Sequence, residues 1–265
     1  MHIPVNFSHE LLLRLYHSLE VSHYRFANYD DFVNEGEEHN DQKVFIRHDV
    51  DRYPERALKM ARLESSRSIK TIYFFRYHDI EQFPHCMDQA IALGHRVGYH
   101  YENLANHRGN IPLALEEFEE HLNKIRSRWG IKYISMHGSP LSRIHNQDIW
   151  HHIKPEDFGL IDISTFNSSK DFLYLTDTGG TWNSNKYNLR DYLQPFSQNN
   201  FKARSTRQLI SYILDKTLPN RLMFNIHPQR WNDNYWSCLK EQLIQNLKNP
   251  VKYSIKIIRS NSPKA

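Results

Sequence analysis

Seven carboxylate and imidazole side chains of the 265-residue chain fall at the ends of short apolar runs. Asp49 and Asp51 follow Val44–Arg47, and His100 and Glu102 close the run Arg96–Tyr101. His137 follows Tyr133–Met136, Asp177 follows Phe172–Leu175, and His227 follows Leu222–Ile226. Carboxylates and imidazoles together suit zinc or another borderline divalent cation, held by three protein ligands with a position left for water. A cation so held brings a water toward a pKa near ~7 and polarises a carbonyl. A carboxylate off the metal can then act as base and a free histidine as acid to the leaving group. These parts suffice for hydrolysis of an amide or ester.

Such residues must be delivered by repeated βα units. From about Lys43 the chain alternates apolar runs with amphipathic stretches, the pattern of a parallel sheet with helical connections. Strands are expected at Val44–Arg47, Ile69–Arg76, Arg96–Tyr101, Tyr133–Met136, Leu160–Ile163, Phe172–Leu175 and Leu222–Ile226, with a last edge strand at Tyr253–Ile258. In parallel α/β architectures, residues just past the strands open onto the face where active sites are built. Between the strands, Pro54 opens one helix and Gly94 stops another. Phe118, Leu122, Ile125 and Trp129 mark a third, Ser205 with Gln208 caps a fourth, and Tyr235, Leu239, Leu243 and Leu247 mark a fifth. Residues 1–42 read as an N-terminal extension, a helix capped by Ser8 and an acidic loop Asp30–Asp41, packed on a catalytic domain spanning 43–265.

Composition narrows the class. Net charge is only +4, without a Lys/Arg run, which argues against a nucleic-acid partner. Fifteen Tyr, five Trp and seventeen His argue for a folded chain, although only 39% of residues are apolar. Cys86 and Cys238 sit apart within helical patterns, as thiols of a reducing compartment. No apolar run is long enough to span a membrane and the N-terminus lacks secretory-signal features, so a cytoplasmic location is expected.

Each candidate also has a plainer reading. Asp51 could cap the helix at Pro54, Glu102 could support His100, and His137 and Asp177 could be turn residues. Arg47, Arg76 and Arg230 are expected to pair with carboxylates or a sugar-linked phosphate, the ion pair being preferred, and His95, His121, His145, His151 and His152 to be surface or structural histidines.

The strings Arg47-His48-Asp49-Val50-Asp51, Tyr73-Phe74-Phe75-Arg76, Gly94 to Glu102, Ser135 to Pro140 and Asn225 to Trp231, in this order and spacing, resemble the polysaccharide deacetylases of the NodB-homology superfamily, carbohydrate esterase family four. The likeness runs from about Lys43 to Trp231 and is greatest to the subgroup with a His-Asp-Val-Asp first motif found in O-antigen and surface-polysaccharide loci. It implies a distorted (β/α)7 barrel and removal of an N-acyl group, N-acetyl above all, from a sugar or sugar-linked precursor. By position, Asp49 matches the family's catalytic base and His227 its general acid, while Asp177 and Trp182 match the pair that buttresses that histidine. Val50 stands where the family has its metal aspartate, so Asp51 is the substitute. His100 matches the first metal histidine, but Leu104 stands where the second belongs, so that Glu102, His107 or His137 must fill the gap, His137 or Glu102 being preferred. His137 also takes the place of an arginine that holds the base. The implied cofactor is a divalent metal, Zn²⁺ by its donors, and the implied partner an acetylated sugar or polysaccharide precursor. The missing histidine leaves two other readings open, a metal-independent hydrolase of a non-sugar amide or imide and a non-catalytic sugar-binding relative.

Overall fold

The computed structural model describes residues 5–33, 41–140, 142–151, 153–165, 172–182, 201 and 203–261. Its strands are β1 (Arg25–Ala27), β2 (Lys43–Val50), β3 (Ile72–Phe75), β4 (Arg96–Tyr101), β5 (Tyr133–Met136), β6 (Ile161–Asp162), β7 (Leu173–Thr176) and β8 (Arg221–Ile226). The helices are α1 (His9–Val21), α2 (Tyr29–Val33), α3 (Pro54–Ser65), α4 (Tyr77–Gln82), α5 (Pro84–Ala92), α6 (Asn103–Asn106), α7 (Ile111–Arg126), α8 (Thr206–Leu214) and α9 (Tyr235–Asn261). By compactness the chain divides into two units, Met1–Ile46 with Ser168–Ala265, and Arg47–Asn167; β2 runs from one into the other.

In the first unit β1 pairs in parallel with the start of β2, and β7 pairs in parallel with β8. Helix α1 presents buried Leu11, Leu12, Leu15 and Leu19 and packs on α8, and Ser22 Oγ donates to the Ile213 carbonyl oxygen. Ser8 accepts from the Leu11 amide, as its N-cap position requires. In the second unit, β2, β3, β4, β5 and β6 pair in parallel in that order. Their residues are almost uniformly buried, which is why the runs read as continuous rather than alternating. The α/β class is borne out, with seven parallel strands in the (β/α)7 arrangement; β1, a strand not among those expected, adds to β2.

Alternation along β2 places His48 on the opposite side from Asp49. There the His48 Nε2 lies 2.8 Å from Glu64 of α3, whose other oxygen accepts from Thr71 Oγ1 and Tyr73 OH. This buried network fixes which way β2 faces. Gly98 in β4 lies opposite Phe74 of β3, and a Cβ there would come within 2.5 Å of the Tyr133 carbonyl oxygen and of the Phe74 ring. Gly98→Ala is expected to lower stability by about 2 kcal/mol or more; denaturant unfolding checks it, and an unchanged midpoint would refute the packing.

Two expectations need correction or restriction. Tyr253–Ile258 is not an edge strand but continues α9, because six residues of alternating apolarity do not outweigh a helical period carried from Tyr235. Within the acidic stretch, Tyr29–Val33 is helical, while residues 34–40, like His152, lie outside the described residues. Among the described residues no helix is long and apolar enough to cross a membrane.

Candidate metal and acid–base sites

In the second unit, the ends of β2, β4 and β5 bring Asp51, His100 and His137 together. Asp51 Oδ1 lies 3.4 Å from His100 Nε2 and 3.7 Å from His137 Nε2, and one donor atom from each residue falls within 4.8 Å of the others. The imidazoles meet edge to face, with centroids 5.2 Å apart. Each ring has its far nitrogen engaged: His100 Nδ1 lies 3.0 Å from the Ser135 carbonyl oxygen, and His137 Nδ1 2.7 Å from Glu102. Such contacts fix the tautomer and turn Nε2 toward the cluster. Ligand atoms about 2.0–2.1 Å from a tetrahedral ion stand about 3.3 Å from one another, so these donors fit a divalent cation in spacing and in chemistry.

Glu102 lies behind His137 rather than among the three. Arg76 Nε donates to Glu102 Oε1 at 2.8 Å, and Arg76 Nη1 donates to the Asp51 carbonyl oxygen at 3.3 Å. One guanidinium at the end of β3 thereby ties the end of β2 to the end of β4. Burial alone would raise the Glu102 pKa, but His137 and Arg76 outweigh it and hold the carboxyl at about 2. A folded pKa below the ordinary 4.5 means stability that is complete above that value and is lost as pH falls toward 2. Glu102→Gln is expected to cost on the order of 2 kcal/mol at neutral pH and to flatten the acid limb of the melting profile. Identical acid limbs in both proteins would show that the pairing contributes nothing.

Asp49, two residues before Asp51 and on the same side of β2, is buried, and Arg47 Nη2 donates to its Oδ2 at 3.2 Å. The expected pairing of Arg47 with a carboxylate is met here. Burial of His100 works against its protonation, but Asp49 and Asp51 outweigh it and leave its pKa raised.

In the first unit His227 and Asp177 form a separate pair at the ends of β8 and β7. His227 Nδ1 lies 2.6 Å from Asp177 Oδ1, and the His227 amide donates to Asp177 Oδ2 at 3.1 Å. Trp231 Nε1 donates to the same oxygen at 2.9 Å, and Arg230 Nε stands 3.4 Å from Oδ1. The tryptophan bonded to Asp177 is therefore Trp231, whereas Trp182 Nε1 donates to Thr206 Oγ1. A short 3-10 turn, Pro228–Arg230, folds Trp231 back toward the strand ends, a geometry that spacing along the chain does not show. Asp177 is buried and wholly engaged, more than a turn residue needs.

Comparison with known protein families found no match, nor did comparison with curated proteins. Among solved structures, the chain is similar to a family 4 carbohydrate esterase from Bacillus anthracis (12% identity, 78% of this chain and 88% of that chain, TM-score 0.39). It is also similar to a CE4 esterase of Streptococcus mutans (15% identity, 80% and 84%, TM-score 0.45). A third is PdaA, a family 4 carbohydrate esterase of Bacillus subtilis (13% identity, 94% and 92%, TM-score 0.40).

Proposed function

We propose that the protein is a metal-dependent hydrolase that removes an N-acyl group, N-acetyl in the leading case, from a sugar or sugar-linked precursor of a surface polysaccharide. The observation that carries this reading is the Asp51–His100–His137 cluster, with both far nitrogens of the imidazoles engaged and the Asp49 carboxylate acting on the same histidine. The sugar substrate is supported by the motif resemblance, and the three-donor cluster favours metal chemistry over the metal-independent alternative.

Asp51, His100 and His137 would hold the cation, Zn²⁺ by its donor set, and Glu102 would orient His137. A cation there supplies acidification of water and polarisation of the acyl carbonyl. Asp49, held by Arg47, takes the proton of the attacking water as the new C–O bond forms. By the motif resemblance His227, with Asp177 on its Nδ1, has the part of the acid that protonates the nitrogen as the C–N bond breaks, giving carboxylate and free amine. The decisive experiment combines metal analysis of protein purified without chelator with amine release from a panel of N-acetylated sugars. Bound metal and chelator-sensitive amine release are expected. A metal-free active enzyme would overturn the metal role, and metal-loaded protein inert on every sugar would overturn the substrate class.

A further inference from the structure

Helix α9 is amphipathic in the opposite sense from a helix that packs on a core. Its polar side faces the protein. Gln242 Oε1 accepts from the Asn6 amide, and Asn249 Nδ2 donates to the Gly179 carbonyl oxygen at 2.9 Å. Gln245 Nε2 donates to Asn249 Oδ1, and Gln245 Oε1 accepts from Arg230. The Gly179-Gly180 turn, both residues at positive φ, seats this side; a Cβ on Gly180 would come 3.2 Å from Gln245 Cγ. The opposite side carries Trp236, Leu243, Leu247 and Val251, exposed by 72, 52, 76 and 57%. At 100° per residue these four positions form one stripe along the helix.

The charge of the helix says what such a stripe meets. Residues 235–261 hold five basic side chains, Lys240, Lys248, Lys252, Lys256 and Arg259, against one acidic, Glu241. That balance of +4 equals the net charge of the whole chain, concentrated in one-tenth of its length. Pairing α9 with a second copy of itself would set like charges together, with Lys240 inside the stripe. Lys252 and Lys256 fall by the same count on the side of Gln245 and Asn249, whereas exposed Lys240 and Lys248 lie within and beside the stripe. An anionic lipid surface takes the apolar stripe into its headgroup–acyl boundary and attracts these two lysines, whose long stems let the charge stay in water. A tryptophan at the edge of such a stripe suits that boundary.

We infer that α9 is a docking surface for an anionic lipid bilayer, with the helix lying in the interface plane and not spanning it. The inference is independent of the metal site and of the proposed reaction. The test is co-sedimentation of the full chain with vesicles of phosphatidylcholine alone or equimolar phosphatidylcholine and phosphatidylglycerol, alongside tryptophan emission. Binding to the anionic vesicles alone is expected, weakened by high salt, with a blue shift that Trp236→Phe removes; Trp129, Trp182 and Trp231 are all 8% exposed or less, and Trp150, of intermediate exposure, stays in that variant as the control. Leu243→Glu with Leu247→Glu, both on the exposed face, should lower binding about tenfold or more with the melting temperature unchanged, and so should Lys240→Glu with Lys248→Glu. No binding to either vesicle, or equal and salt-insensitive binding to both, would overturn the inference. So would a dimer in solution that the leucine variants dissociate while vesicle binding is absent, since the stripe would then be a self-interface.

Discussion

Replacing His100 by alanine is expected to strip the protein of its divalent cation and abolish hydrolysis. His100 is buried, its Nδ1 is committed to the Ser135 carbonyl oxygen, and its Nε2 faces Asp51 at 3.4 Å. Changing even the residue that supports a metal ligand costs about 10–100-fold in affinity, so loss of the ligand itself should exceed that range. Because Asp49 and Asp51 raise the His100 pKa, protons compete for the same nitrogen, and occupancy should fall as pH drops through that raised value. Equilibrium dialysis against Zn²⁺ at several pH values, with activity measured in parallel, checks both points. A His100→Ala protein that keeps its metal would move the centre elsewhere.

Asp49→Asn should leave the metal in place and remove the reaction. The carboxylate lies one strand repeat from Asp51, on the same side of β2, and Arg47 holds one of its oxygens. Positioned bases contribute about 10²–10⁴-fold, and asparagine keeps the shape without the basicity. Exchanging a charged partner of buried Arg47 for a neutral one also costs stability, about 1–3 kcal/mol. Metal content and the unfolding midpoint therefore have to accompany the rate. Wild-type turnover would remove Asp49 from the mechanism, and metal lost together with activity would make it a ligand or a support.

These expectations differ in how far they could be seen in the chain. Strands Arg96–Tyr101 and Tyr133–Met136 coincide with β4 and β5, because a strand buried on both faces is written as an unbroken apolar run whose ends local polarity marks. The pairing of Arg47 with Asp49 is legible too, since two residues separate them on a strand. Glu102 is different. It follows His100 by two residues, so alternation puts both on one side, and nothing in their spacing says which reaches a metal. The choice fell to Arg76, which captures Glu102, and to His137, which arrives at the end of β5 with its amide bonded to the Tyr101 carbonyl oxygen. The tryptophan bonded to Asp177 was hidden for a similar reason, because a 3-10 turn decides that Trp231 comes back.

The amino-acid order by itself determined the α/β class, the succession of parallel strands and the places where polar side chains are delivered, because periodicity and burial are local properties of a segment. Tertiary structure alone decided that Asp51, His100 and His137 share donor space, that Glu102 stands behind them, and that α9 turns its apolar side outward. Those outcomes depend on contacts between segments distant along the chain, where a shift of one hydrogen-bond length separates a ligand from its support.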